Sequence, residues 1–156
     1  MSEQLGIPVK QSKEIITNFY NEFPEVSVFF NNLIKEAMEN GYVTTKLGRR
    51  RYLRELHDSN YQVREFAKRA AMNAPVQGSA ADLIKIAMIK VDKKLKEEKL
   101  NSKMVLQIHD ELIFKVKKEE KETVFNLVKN VMEQALDIGI KLEVDGGFGE
   151  DWYSAK

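Results

Sequence analysis

Met104-Val-Leu-Gln-Ile-His109-Asp110-Glu111-Leu-Ile-Phe-Lys-Val116 is the stretch that decides how this chain folds. Two apolar runs, Met104–Ile108 and Leu112–Val116, meet at three ionisable residues. Runs of that length with so short a polar connection predict an antiparallel β-hairpin. Hairpin tips usually take Asn-Gly or Asp-Gly, because positive φ costs glycine little. Here no glycine stands at the tip, so the turn gives up local ease, and breaks in local rules tend to fall at functional places. Asp110 and Glu111 would present adjacent carboxylates on a rigid support, a hard-oxygen pair suited to Mg²⁺. A cation held there would stabilise charge in phosphoryl transfer. The competing reading is that acidic residues sit at a tip because tips are wet. His109 is a ligand, a phosphate contact or simply a tip residue, and alone it decides nothing.

Upstream of this hairpin the pattern is helical. Residues 11–22 read as a short helix with Ser12 as N-cap and an apolar side of Ile15, Ile16, Phe19 and Tyr20. Pro24 suits the first turn of a second helix ending at Asn40, with Gly41 as its stop. Residues 42–46 and 50–53 predict two short strands around a turn containing Gly48. A helix from about Tyr61 should be kinked or broken at Pro75, which cannot donate to the carbonyl of Ala71. It resumes from Val76 to about Glu98 with Leu83, Ile84, Ala87, Met88 and Val91 on its buried face. Downstream of the hairpin come an amphipathic helix over 119–136, a last strand over Lys141–Asp145, a Gly-rich turn and the tail Asp151-Trp152-Tyr153. The order predicts an α+β domain, a small antiparallel sheet packed against several helices.

The chain has 156 residues, 43% hydrophobic and 31% charged, a balance that argues for one folded domain and against disorder. It lacks Cys, which excludes disulfides, a thiol nucleophile and cysteine-bound metal, and its two His exclude a multi-histidine site. No long apolar run predicts a membrane span, and no signal pattern opens the chain, so a cytoplasmic location and no membrane partner are expected.

Net charge is only +1, but its distribution is uneven. Residues 41–70 hold all six Arg with two Lys, against two Glu and one Asp. Arginine suits planar, bidentate contact with phosphate. Arg49, Arg50 and Arg51, with Arg54 and Lys46, therefore either hold a nucleic-acid backbone or form a solvated hairpin edge that discourages strand pairing. A second polar set, Arg69, Asn73 and Gln77, is spaced by four, so each residue advances about 40° and the three fit one helix face. Small residues surround them: Ala70, Ala71, Ala74, Gly78, Ser79, Ala80 and Ala81. Donors on such a face would meet the minor-groove acceptors that every base pair presents, whatever the sequence. The competing reading is close helix packing for the small residues and ordinary solvation for the polar three.

Taken in order, Gly41-Tyr-Val-Thr-Thr45, Gly48-Arg-Arg-Arg-Tyr-Leu53, Arg69-Ala-Ala-Met-Asn73-Ala-Pro-Val-Gln77-Gly-Ser-Ala-Ala-Asp82, Gln107-Ile-His-Asp-Glu-Leu112, Val144-Asp145 and Gly149-Glu-Asp-Trp152 resemble the family A DNA polymerases of the bacterial DNA polymerase I type. The resemblance runs from about Leu5 to Lys156. It implies that His109-Asp110-Glu111 is the family's motif C in the palm. Asp110 would be one of two aspartates holding the catalytic pair of Mg²⁺ ions, Glu111 an accessory carboxylate, and His109 a neighbour of the primer terminus. Arg69, Asn73 and Gln77 would contact template–primer DNA, Gln77 from the minor groove. Residues 1–40 would belong to the fingers and 41–156 to the palm. The implied reaction is template-directed transfer of a nucleotide from a dNTP to a primer 3′-hydroxyl.

One departure bears on activity. The family's first catalytic aspartate, and the fingers helix that binds the incoming triphosphate, lie upstream of the matched region. The chain is therefore expected to be a C-terminal polymerase portion that lacks substantial activity without the missing N-terminal polymerase segments. Asp82, Asp145 and Asp151 read as structural or solvated rather than as substitutes. Arg54 stands where many members have proline, which adds to the positive patch. Two rival readings are a non-catalytic duplex-DNA-binding module and one piece of a split polymerase. A small α+β protein with no nucleic-acid role is a third.

Overall fold

The structure is a computed structural model, and it describes residues 5–155. It is α+β, as the sequence predicts: among the described residues there are four α-helices and two antiparallel ribbons of two strands each, rather than one joined sheet. The helices are α1 (Val9–Glu22), α2 (Pro24–Asn40), α3 (Tyr61–Glu97) and α4 (Lys121–Glu133), and the strands are β1 (Tyr42–Thr44), β2 (Arg50–Tyr52), β3 (Lys103–Ile108) and β4 (Glu111–Lys115). The chain divides into two compact units, Met1–Val76 and Gln77–Lys156, so the division falls inside α3.

In the first unit, α1 begins earlier than the sequence suggests. Pro8 stands at its N-cap with no side-chain bond, and Ser12 lies inside the helix, buried with its hydroxyl unpaired. Proline pre-sets the φ that a helix start needs; Ser12 is thus not the cap. The apolar side expected of α1 is not covered in this unit, since Ile15, Ile16 and Phe19 are exposed. In α2, Pro24 and Gly41 do what their backbone chemistry dictates: Pro24 opens the helix, and Gly41, at φ 78°, closes it by donating to the carbonyl of Ala37. That stop turns the chain directly into β1. The β1–β2 turn is closed by Thr45 N donating to the Arg49 carbonyl at 2.9 Å and Gly48 N to the Thr45 carbonyl at 2.9 Å. The core joins Ala37, Val43, Leu53, Leu56, Ala67 and Ala71. Leu56→Ala should cost about 2–5 kcal/mol, the usual penalty for truncating a buried Leu. A urea or thermal unfolding curve of the chain checks this.

Helix α3 is continuous through Pro75, contrary to the break the proline suggests. A proline forfeits one backbone hydrogen bond. Pro75 is itself buried within the helix.

In the second unit, Val91 and Leu95 of α3 and Val124 of α4 form the core, with Phe114, Val116, Leu127, Val128 and Val131 packed against them. The expected strand over Lys141–Asp145 does not form among the described residues. The alternation that suggested it is present, with Leu142 and Val144 half-buried between exposed Lys141, Glu143 and Asp145. What is missing is a partner strand: the Val144 N–H donates to the Glu133 side chain at 3.2 Å instead.

The open end of the β3–β4 hairpin is clamped by one carboxylate. Glu120, in the 3-10 turn Lys118–Glu120, accepts from Asn101 N at 2.9 Å, Ser102 N at 2.9 Å and Ser102 Oγ at 2.6 Å. Ser102 Oγ in turn accepts from Lys117 N at 3.1 Å. The Ser102 hydroxyl, then the backbone of Asn101, hold the Glu120 carboxyl down at about 2, against 4.5 ordinarily. A carboxyl lowered on folding adds stability that is full above its unfolded value and is lost as pH falls through its folded value. The chain should therefore lose this contribution between about pH 4.5 and 2. Glu120→Gln should flatten that part of a plot of melting temperature against pH.

Candidate functional site

The clamp fixes one end of the hairpin, and the ladder carries that order to the other. Ile108 pairs with Glu111, leaving His109 and Asp110 as the connection. His109 sits at φ 52°, in the left-handed region that costs a side-chain-bearing residue energy. This is the strain implied by a tip without glycine. The His109 carbonyl accepts from Gln107 Nε2, a bond that ties down the strained residue. Asp110 and Glu111 are both exposed. Glu111 Oε2 accepts the indole N–H of Trp152 at 3.3 Å. The sequence marks Trp152 only as part of the Gly149–Trp152 motif, and nothing in it pairs Trp152 with Glu111, because the contact spans 41 residues.

The donor set at the tip is hard oxygen, which suits a small divalent cation. Two neighbouring carboxylates make only part of a coordination shell, and among the described residues no three His, Asp or Glu converge as a metal site. Alone, the two carboxylates supply part of the oxygen shell that such a cation takes.

Arg49, Arg50 and Arg51 lie at the β1–β2 turn and are all exposed. Val43 is buried, so the residues on the opposite ribbon face, Tyr42, Thr44, Arg50 and Tyr52, point away from the core. Tyr42 and Tyr52 pair across the strands at 5.6 Å, and the Arg50 guanidinium stands 4.7 Å over the Tyr42 ring. Hydrogen bonding to the Tyr52 hydroxyl, then the electrostatics of the neighbouring Tyr42, raises the Arg50 pKa above its ordinary value. The arginine patch is thus partly pre-ordered by aromatic neighbours that the sequence reading passed over.

Arg69, Asn73 and Gln77 all lie in α3 and are all exposed. Arg69 stands 5.9 Å from the Phe66 ring centre. Arg49–51, Arg69 and Asn73 fall in the first unit, and Gln77 and the His109–Glu111 tip in the second. Asp82, read as structural, is buried.

Residues 1–154 match the family model for DNA polymerase family A. The chain belongs to that family. It is similar to the DNA polymerase I of Bacillus caldotenax, with 47% identity over 156 residues, which is 100% of this chain and 18% of that protein. It is 47% identical to the DNA polymerase I of Bacillus subtilis over the same span. Among solved structures it resembles the POL domain of Pol1 from M. smegmatis in complex with DNA primer-template and dNTP. There the TM-score is 0.94 at 44% identity, covering 99% of this chain and 27% of that one. The family A chain thus spans about 18% of the length of the curated relatives it matches. Among its described residues no helix is long and apolar enough to cross a membrane.

Proposed function

We propose that this chain is the palm, with part of the fingers, of a DNA-directed DNA polymerase, residues 1–40 being fingers and 41–156 palm. The observation that carries the reading is the strained, clamped hairpin whose exposed tip carries Asp110 and Glu111, in a member of family A. In the reaction, the primer 3′-hydroxyl oxygen bonds to the α-phosphorus of a dNTP. The bond to the bridging oxygen breaks, pyrophosphate leaves, and the hydroxyl proton passes to solvent. Asp110, with Glu111 beside it, would hold Mg²⁺. When bound, Mg²⁺ supplies Lewis-acid stabilisation of the negative charge that develops. Arg69, Asn73 and Gln77 donate to groove acceptors on the template–primer, His109 lies by the primer end, and Arg49–51 grip phosphates. Minor-groove donors hold the duplex without reading its sequence, as a copying enzyme requires.

Catalysis in this reading needs the polymerase segments that the longer relatives carry, so the chain alone should not extend a primer. The test is a chimaera in which residues 1–156 replace the matching region of the M. smegmatis polymerase domain. Primer extension by the chimaera, with none by the chain alone, supports the reading. A chimaera that folds and binds primer–template but does not extend it favours the non-catalytic duplex-binding module. Activity recovered on mixing the chain with the remaining polymerase segments as a separate polypeptide would make it one piece of a split enzyme.

A further inference from the structure

We propose that Trp152 is a positioning residue for Glu111, and that the C-terminal turn is built to deliver it. The inference rests on the reading of the His109–Asp110–Glu111 tip as catalytic. Glu111 opens β4 and pairs with Ile108, so its backbone is already fixed by the ladder and only its side chain is left to swing. The indole N–H can only donate, and it donates to Glu111 Oε2 at 3.3 Å. Holding one oxygen narrows the rotamers open to the carboxylate.

The segment that carries the indole is itself constrained. The Asp151 carboxylate accepts from Ser154 N at 2.8 Å and from Ser154 Oγ at 2.8 Å. Ala155 N donates to the Asp151 carbonyl at 3.2 Å. The turn closes down on glycine backbone. A Cβ on Gly149 would stand 2.5 Å from both Ala155 N and Ser154 Oγ, and one on Gly147 would stand 2.7 Å from the Ala155 carbonyl oxygen. The Gly-rich stretch before the tail therefore makes room for the turn that aims Trp152. A surface tryptophan that merely covered apolar atoms would need neither the polar contact nor this scaffold.

Two measurements test the proposal. Trp152 is the chain's single Trp, so a ¹⁵N–¹H spectrum of the full chain shows one indole resonance. Glu111→Ala should move it while the remaining dispersed peaks stay in place. In the chimaera, Trp152→Phe should lower kcat roughly tenfold or more and raise the Mg²⁺ concentration for half-maximal rate, the usual effect of losing an outer partner of a ligating carboxylate. Primer–template affinity and melting temperature should stay unchanged. Glu111→Gln, which keeps the shape and removes the charge, should shift the Mg²⁺ dependence in the same direction, so the result does not hang on one variant's folding. An indole resonance indifferent to Glu111→Ala overturns the proposal. So does a Trp152→Phe chimaera with unaltered kcat and Mg²⁺ dependence while Asp110→Ala is dead. If Asp110→Ala itself remains active, the catalytic reading of the hairpin fails first, and the positioning role goes with it.

Discussion

Asp110→Ala in the chimaera is expected to stop nucleotide addition while leaving the protein bound to its primer–template. Asp110 is exposed at the end of a connection whose first residue, His109, is held at φ 52°. Its removal should cost little stability, because surface positions outside packed cores seldom matter to folding. What it removes, on the proposed function, is a hard-oxygen ligand. Metal stabilisation of transition-state charge is worth several kcal/mol, so the single-turnover rate should fall about a thousandfold or more. The dissociation constant for primer–template should stay within roughly threefold, because phosphate and groove donors carry that affinity. Rapid-quench kinetics beside a fluorescence binding titration separates the two effects. A proportional loss of rate and affinity would make Asp110 a folding or DNA-contact residue instead.

The second large effect is expected from the arginine patch. Replacing Arg49, Arg50 and Arg51 together with Gln should weaken duplex binding about a hundredfold near 0.15 M salt. It should also make the plot of log affinity against log salt shallower by about two to three units, since each neutralised phosphate contributes about 0.9. The loss should be the same for unrelated duplex sequences, as phosphate contacts carry no base information. A triple variant that binds with unchanged salt dependence would return these residues to the role of a solvated hairpin edge.

The parts of the fold that were legible in the sequence were those set by local backbone chemistry. Pro24 and Gly41 bracket α2 because one fixes φ and the other tolerates the left-handed region, and neither needs a distant partner. The Met104–Val116 hairpin was legible for the same reason, since its two runs and its tip are contiguous. The expected strand over Lys141–Asp145 shows where this stops. Its side chains alternate as a strand's should, but a strand exists only with a neighbour, and there Val144 is satisfied by the Glu133 side chain. The start of α1 was misplaced because Ser12 has a capping side chain and Pro8 does not, though Pro8 carries the right φ. At the candidate site, Asp110 and Glu111 were visible as a chemical oddity at a tip. The pairing of Trp152 with Glu111 was not, because a contact across 41 residues leaves no trace in local periodicity. The Tyr42–Tyr52 pair lay between these cases. Its register follows from the hairpin, but its stacking with Arg50 depends on which face Val43 buries.

The central claim is that the β3–β4 tip grips a divalent cation beside a growing DNA strand. Iron-directed cleavage reads this without relying on turnover. Fe²⁺ exchanged into the Mg²⁺ site of the chimaera bound to primer–template generates hydroxyl radicals that cut the polypeptide next to the metal. The account predicts a cut within Ile108–Leu112, lost in Asp110→Ala and suppressed by excess Mg²⁺. Cuts confined to other segments, or a tip cut that survives Asp110→Ala, would contradict it.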